Sequence, residues 1–304
     1  MFIGRETELK FLNDKYSENG GQLIVLYGRR RVGKTETLRE FCKGKPHVFF
    51  SCTQTTDPVQ LRNFSARVLR EDIPAKSYIT EFTDWERAFR AVRELPYGDR
   101  KKLLVIDEFP YMCRGNKSIP SILQNLWDAE LRDANVMIIL CGSAMSFIEK
   151  ELLGEKSPLY GRATGILKML PMPYWDAAQF FPNYSSEDKA LAYAILGGIP
   201  RYLEEFDPDE TIDANVKRHI LRRIAPLYSE VEFLLHEELR ETAKYNSVIR
   251  AIALGATSLN EIATHTMMAN ATVSSYLANL MELGIVEREF PVTAKPKERA
   301  KGSR

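Results

Sequence analysis

Short, unbroken apolar runs alternate with amphipathic stretches over the first 170 residues of the chain. Such runs are typical of strands that are buried on both faces of a parallel sheet. Strands that alternate with helices predict an α/β fold in which helices cover this sheet. The predicted strands span 22–27, 47–52, 102–109, 136–143 and 165–170. The predicted helices between them span 34–43, 58–71, 84–95 and 118–132.

The pattern changes near Pro173, where strand signals stop and helical patterns follow one another. These predicted helices span 175–181, 186–196 and 211–224. We therefore expect the sheet domain over 1–172 and a helical subdomain over 173–231.

A third unit begins near Glu232. Helices are predicted there over 239–254, 258–265 and 270–283, followed by a strand over 285–290. Ser258 with Glu261 three residues later forms a capping box at the start of the second of these helices. This order of elements indicates a winged helix-turn-helix over 232–292, and a basic, flexible tail is expected over 293–304.

Charge and composition argue against several classes of protein. The net charge is +1, from 42 basic and 41 acidic residues, which argues against a wholly basic nucleic-acid coat and leaves room for a local basic patch. No apolar run approaches the roughly 20 residues of a membrane helix, and the N-terminus lacks the regions of a secretory signal. The four cysteines form no C-x-x-C pair and read as reduced, buried thiols, so we expect a cytoplasmic protein without membrane contact.

Residues 28–35 read Gly-Arg-Arg-Arg-Val-Gly-Lys-Thr and match the phosphate-loop pattern G-x-x-x-x-G-K-[ST] in full. Such a loop wraps phosphates with backbone N–H groups, so the tightest positions need glycine. Lys34 is expected to contact the β- and γ-phosphates, and the Thr35 hydroxyl to ligate Mg²⁺. The predicted nucleotide-binding residues of this segment are Gly28, Arg31, Val32, Gly33, Lys34, Thr35 and Glu36. The arginines at 29–31 either face solvent or a partner, or contact the nucleotide directly.

Two acidic residues follow the apolar run 103–106. Asp107 is expected to hold the water shell of Mg²⁺, and Glu108 to polarise the attacking water. A base beside a metal ligand predicts hydrolysis and not binding alone. Ser143 ends the next predicted strand, where it either senses the γ-phosphate or caps the helix that begins at Ala144.

Arg162 has two interpretations. It is either a fixed cation that stabilises transition-state charge or one half of a surface ion pair. A catalytic Arg162 acting in trans requires a neighbouring subunit, whereas one acting in cis needs only a monomer.

The N-terminal stretch Phe2-Ile3-Gly4-Arg5-Glu6, with Glu8 and Leu9, resembles the N-terminal box of archaeal-type AAA+ ATPases, near the STAND and origin-recognition branches of the P-loop NTPases. The phosphate loop, the stretches IDEFPYM, CGSAMSF and SPLYGRATG, and residues 197–203 (GGIPRYL) are similar to the same family. The resemblance covers residues 2 to about 289.

This resemblance implies a P-loop ATPase core with a helical lid and a winged helix, and it implies ATP as the nucleotide. Ile3, Gly4 and Arg5 would line the adenine side, and Pro200 would pack near the base or ribose. Family members often carry a further nuclease-like domain, and no activity of such a domain is assigned to this chain.

The expected function is that of a Mg²⁺-dependent ATPase that binds ATP and ADP and acts as a nucleotide-driven conformational switch. The alternative is a nucleotide-gated DNA-binding or protein-interaction module with negligible turnover. The predicted recognition helix, 270–283, has small polar residues at its start but no Lys or Arg, so strong binding of duplex DNA by this unit alone is not expected. Duplex DNA, a protein partner and self-association all stay open as partners.

Overall fold

The computed structural model of the chain describes residues 2–239, 241–290 and 293. They form two compact units, of which the first ends at Ile212 and the second begins at Asp213. Every described strand lies in the first unit. The predicted boundaries of the helical subdomain, 173 and 231, stay a prediction.

The first unit is built on one sheet of five parallel strands in the order β2-β3-β4-β1-β5. Because β4 lies between β1 and β3, the carboxyl ends of these three strands meet at one edge of the sheet. All five predicted strands are confirmed, although all but the first end one or two residues earlier than predicted. The strands are β1 (Gln22–Tyr27), β2 (His47–Ser51), β3 (Lys102–Asp107), β4 (Val136–Gly142) and β5 (Gly165–Lys168).

Helices of the first unit connect and cover these strands. They are α1 (Glu6–Ser17), α2 (Lys34–Cys42), α3 (Asp57–Val68), α4 (Trp85–Arg90), α5 (Phe109–Gly115), α6 (Ile119–Leu126), α7 (Met145–Phe147), α8 (Tyr174–Ala177), α9 (Ser186–Leu196) and α10 (Pro200–Leu203). Short 3₁₀ or π turns extend four of them, at Ala91–Glu94, Trp127–Leu131, Ile148–Leu152 and Ala178–Phe180, and a separate 3₁₀ turn lies at Pro74–Ser77. The sequence pattern did not predict α1, α5 or α10.

The central strands β1, β3 and β4 are buried on both faces, as their unbroken apolar runs predict, whereas the edge strand β5 alternates between half-buried and exposed residues. Alternate residues of β1 enter opposite layers, with Leu23 and Val25 in one core and Ile24 and Leu26 in the other. All four cysteines are buried and unpaired with one another, which confirms their interpretation as small core residues. Burial also raises the pKa of the Cys42 thiol to about 12.

The second unit is helical. Its elements are α11 (Ile212–Val216), which begins at the last residue of the first unit, a π turn at Lys217–Leu221, α12 (Glu230–Glu238), α13 (Thr242–Ala253), α14 (Leu259–Thr266) and α15 (Asn270–Glu282). Val248, Ile262, Val273 and Leu280 form the centre of its core. The predicted capping box is confirmed, since the Glu261 backbone N–H donates to the Ser258 hydroxyl and the Glu261 carboxylate accepts from the Ser258 N–H.

The strand predicted over 285–290 is wrong. The backbone N–H groups of Ile285 and Val286 both donate to the Leu280 carbonyl, at 2.9 and 3.4 Å, so they continue the helix-ending turn of α15 and do not enter a strand ladder. The predicted basic tail lies, apart from Thr293, outside the described residues.

Among the described residues, no helix combines the length and the apolar character needed to cross a bilayer.

Candidate functional site

The phosphate loop connects β1 to α2 in a backbone conformation that its glycines permit. A Cβ atom on Gly28 would lie 2.3 Å from the Met169 carbonyl oxygen, so no larger residue fits there. Gly33 has a φ of 90° and caps α2, which begins at Lys34. Arg31 also lies in the left-handed region, with a φ of 68°. The loop therefore has the tight turns that the motif predicts.

Lys34 points back into this loop. Its ammonium group donates to the carbonyl oxygens of Gly28, at 2.8 Å, and Arg29, at 3.0 Å, and its side chain is only 6% exposed. Burial lowers the pKa of Lys34, and the carboxylates of Asp107 and Glu108 oppose that shift. A cation is thus held at the centre of the loop, where it can meet an anionic ligand.

The acidic residues at the end of β3 meet the first turn of α2. The Thr35 hydroxyl donates to Asp107 Oδ2 at 2.8 Å, and Asp107 is buried. Glu108 follows in a left-handed conformation with a φ of 51°, which its backbone N–H stabilises by donating to Asp107 Oδ1 at 3.0 Å. Because of this turn, the two neighbouring carboxylates meet different partners: Asp107 contacts Thr35, and Glu108 contacts Ser143.

Ser143 meets the second of these carboxylates. Its Oγ lies 3.1 Å from both Oε1 and Oε2 of Glu108, and its side chain is buried. The alternative interpretation of Ser143 as a helix cap is wrong, because Ala144 is the N-cap of α7 and no side chain caps that helix. The contact arises because β4 lies next to β3, so the ends of the two strands are adjacent.

The phosphate loop and the end of β3 offer few oxygen ligands to a Mg²⁺ ion. Within the described part of the chain, no group of three or more His, Cys, Asp or Glu side chains could hold a metal ion. The oxygen donors present are the Thr35 hydroxyl and the Asp107 carboxylate, already in contact with each other. Mg²⁺ typically uses one or two protein oxygens and takes its other ligands from water and substrate phosphates. These residues therefore fit Mg²⁺ bound together with a nucleotide.

The N-terminal segment packs against the same loop. One guanidinium nitrogen of Arg5 donates to the Val32 carbonyl at 2.7 Å, and another donates to Glu8 Oε1 at 2.7 Å. Gly4 has a φ of 66°, and a Cβ there would lie 2.9 Å from Asp176 Oδ2. The arginine therefore ties the N-terminal segment to the loop, a contact that motif matching alone did not predict.

Asp176 is a neighbour of this segment that the sequence analysis missed. Its pKa is raised by burial and by the nearby carboxylates of Glu6 and Glu8, while Arg5 opposes the shift. No spacing pattern connects α8 with the N-terminus, so no sequence signal could have found it.

Ile3 is half-buried, and its contact with adenine stays a prediction.

Arg5→Ala is expected to lower the free energy of unfolding of the first unit by about 3 kcal/mol, because it leaves a buried carbonyl and a mostly buried carboxylate without their partner. Chemical denaturation followed by circular dichroism measures this loss. Arg39→Ala removes an exposed partner of Glu36 and is the matched control, expected to change stability by less than about 0.5 kcal/mol. Equal losses in the two variants would contradict the structural role of Arg5.

Residues that follow β5 in the chain also lie close to the phosphate loop. Pro200 is buried, and its ring Cγ would lie 3.6 Å from a Cβ on Gly33. Gly198 is required by close packing, since a Cβ there would lie 1.9 Å from the Met172 carbonyl oxygen, and its own carbonyl accepts from the Met172 N–H at 2.6 Å. Pro200 is thus beside the phosphate loop, while its predicted packing near a base or ribose stays a prediction.

The structure does not bring Arg162 to the phosphate loop. Arg162 precedes β5, at the edge of the sheet where the strands begin, and the loop follows the other end of β1. Its guanidinium donates to the Asp128 carboxylate at 2.7 and 2.9 Å. Within a single chain, Arg162 is therefore one half of an ion pair. A role across a subunit interface stays a prediction.

The remaining predicted loop residues differ in their surroundings. Val32 is fully buried, whereas Arg31 and Glu36 are exposed, and Glu36 accepts from Arg39 at 2.8 Å. Arg30 donates to the Tyr111 hydroxyl at 3.4 Å, which links the loop to α5.

The segment predicted to form a helix-turn-helix carries more acidic than basic residues. The recognition helix α15 contains no Lys or Arg, and residues 246–289 contain two basic residues against four acidic ones. Duplex DNA affinity grows with the number of neutralised phosphates, so residues 246–289 offer little of that attraction by themselves.

Comparisons with known proteins agree with this architecture. Residues 2–206 match the family of an ATPase domain predominantly from Archaea, and residues 246–289 match the IclR helix-turn-helix domain. An uncharacterized protein of Methanocaldococcus jannaschii is 32% identical over 303 residues, which cover 98% of this chain. The chain spans 65% of that relative's length.

Two solved structures share the fold. A Walker-type ATPase of Pyrococcus abyssi has a TM-score of 0.67 and 20% identity, with 93% of this chain and 90% of that chain covered. The ORC2 protein of Aeropyrum pernix, solved in ADPNP–ADP complexes, has a TM-score of 0.56 and 15% identity, with 96% and 88% covered. At these identities the two likenesses show the fold alone.

Proposed function

Because the chain belongs to the family of ATPase domains found predominantly in Archaea, we propose that it binds ATP with Mg²⁺, hydrolyses it, and uses the cycle as a conformational switch. The observation that supports hydrolysis most is the pairing of Glu108 with Ser143 beside the Thr35–Asp107 contact. A site that only held a nucleotide would need the loop and the metal ligands, but not a second, separately positioned carboxylate.

Each residue of the site has a distinct part in this proposal. Lys34 and the backbone N–H groups of the loop bind the phosphates. Thr35 and Asp107 would hold Mg²⁺, which when bound supplies positive charge to the phosphate oxygens. Glu108 orients the attacking water and accepts its proton, and Ser143 keeps the Glu108 carboxylate in place before the nucleotide arrives.

Conformational coupling is supported by the contacts around the loop. Pro200 packs at Gly33, and the Gly198 backbone is bonded to Met172, so a change in the loop reaches the segment that carries α10. Arg5 connects the same loop to α1. A nucleotide that reshapes the loop would thereby move two neighbouring segments, which is the basis for proposing a switch.

The helix-turn-helix family match supports a link to DNA. Its acidic balance makes it a weak DNA-binding module when alone, so additional contacts would be required. A protein partner or self-association through this unit is the second candidate, favoured by the absence of Lys and Arg from α15. Four buried, free cysteines are consistent with a cytoplasmic location, which is part of the same proposal.

Phosphate release by the purified chain tests this function. Turnover of ATP is expected with Mg²⁺, and chelation of the metal should reduce it to the background of a buffer control. ATP should be preferred to GTP. Tight ATP binding without phosphate release, with or without duplex DNA, would instead support a nucleotide-gated binding module.

A further inference from the structure

A cleft of about 380 Å³ opens on the first unit between α5 and the helical segment that contains α7 and its π turn. It is separate from the phosphate loop, and neither the ATPase family nor the helix-turn-helix family assigns it a role. Six of its lining residues matter here: Arg114, Lys117, Ser146, Phe147, Lys150 and Glu151.

The lining of this cleft is basic. Three cations face a single carboxylate, that of Glu151. Arg114 and Lys117 are exposed, and within the described residues neither forms an ion pair with a carboxylate. Arg114 lies over the Tyr111 ring, 5.6 Å from its centroid. The cleft thus offers cations to an anion that comes from solution.

Both walls of the cleft start at the catalytic end of the sheet. The helix α5 begins directly after Glu108, and α7 begins two residues after Ser143. The hydrogen bond between Glu108 and Ser143 therefore bridges the bases of the two walls. The first turn of α5 also packs closely on the end of β4, since a Cβ on Gly142 would lie 2.6 Å from Pro110 Cδ. A ligand that moves one wall would change the position of Glu108.

We propose that this cleft binds the phosphate backbone of single-stranded nucleic acid and that binding is transmitted to Glu108. Single strands are bound by cationic grooves that also hold an aromatic side chain, on which a base can stack. Phe147 lies half-exposed in this cleft and supplies such a ring. Its volume of about 380 Å³ can hold only a short stretch of a single strand.

Nucleic acid is favoured over an acidic peptide for two reasons. A peptide carboxylate needs cations but makes no use of an aromatic platform. The chain also carries a helix-turn-helix whose recognition helix has no Lys or Arg, so a cationic surface elsewhere in the chain would add the phosphate contacts that this helix lacks. The cleft provides one in the ATPase unit.

The binding test uses the full chain, a fluorescent single-stranded oligonucleotide and its duplex form, measured by anisotropy over a range of salt concentrations. The double variant R114E/K117E is expected to weaken single-strand binding by at least about tenfold and to lower the slope of log K against log salt by about 1.4, since each lost contact accounts for about 0.7. The matched control, K10E/R70E, makes the same change of net charge at exposed positions outside the cleft and should bind as the wild type does.

The coupling test rests on the proposed ATPase function. Single-stranded DNA is expected to change the ATP turnover of the wild type and of K10E/R70E, and to have no effect on R114E/K117E, whose turnover without DNA stays at the wild-type level. Failure of ATP hydrolysis would sink the proposed function but leave the anisotropy result readable. Three results would each overturn the proposal. The two double variants could bind the single strand equally, the wild type could bind the duplex more strongly than the single strand, or polyglutamate of equal charge could displace the oligonucleotide.

Discussion

Glu108→Gln is expected to lower ATP turnover by about 10²- to 10⁴-fold and to leave nucleotide affinity unchanged. Glutamine has nearly the same shape, and its amide oxygen can accept the hydrogen bond that Ser143 donates to the carboxylate. What the variant loses is the ability to take a proton from the attacking water. Steady-state phosphate release and nucleotide titration, made on the same preparation, separate these two quantities.

The control for this variant is Glu94→Gln, which removes the charge of an exposed glutamate elsewhere in the first unit. It is expected to turn over ATP at the wild-type rate. Ser143→Ala is a second comparison: it keeps the carboxylate but releases it, so turnover should fall less than in Glu108→Gln. A Glu108→Gln variant that hydrolyses ATP as fast as the wild type would contradict the assignment of Glu108 as the base.

Lys34→Ala is expected to weaken ATP and ADP binding by about 10- to 100-fold, because a hydrogen bond to a charged group contributes about 1.5–3 kcal/mol. The ammonium group already lies inside the loop, held by two backbone carbonyls, so its loss removes the cation nearest to the bound phosphates. Calorimetric titration with ADP measures the affinity without interference from hydrolysis.

The matched control for Lys34→Ala is Lys43→Ala, at the other end of the same helical segment. Lys43 is 71% exposed and pairs with Glu40 on the surface. Nucleotide affinity should be unchanged in that variant. Wild-type affinity in Lys34→Ala, with an unchanged circular dichroism spectrum, would show that the loop does not bind phosphate in the expected way.

The sequence was most informative where local chemistry and chain order coincide. The phosphate loop needs glycine at two turns and a lysine at the start of a helix, and all of these occur within eight residues. The central strands β1, β3 and β4 follow from their unbroken apolar runs, because each is buried on both faces. These features could be predicted without any knowledge of tertiary contacts.

Other features depend on tertiary contacts that no local pattern encodes. The pairing of Ser143 with Glu108 requires that β4 lie beside β3, and chain order alone does not fix the order of strands in the sheet. Arg5 and Val32 are far apart in the chain but bonded in the fold. An arginine can stabilise transition-state charge, but the position of Arg162 before β5 places it at the edge of the sheet opposite the phosphate loop.

The predicted strand after α15 was wrong for a different reason. Residues 285–290 have the apolar content of a strand, but a strand also needs a neighbour to satisfy its backbone groups. The Leu280 carbonyl satisfies the first two N–H groups locally, and no described strand lies in the second unit to pair with the rest. Local hydrogen bonding therefore decided the conformation where periodicity suggested another.

Identification of the nucleotide that stays bound after incubation tests the central claim most directly. The wild type and Glu108→Gln are each incubated with ATP and Mg²⁺, separated from free nucleotide, and denatured, and the released nucleotide is identified by ion-exchange chromatography. Hydrolysis at this site predicts ADP from the wild type and unchanged ATP from Glu108→Gln. Unchanged ATP from both proteins, or ADP from both, would contradict the account.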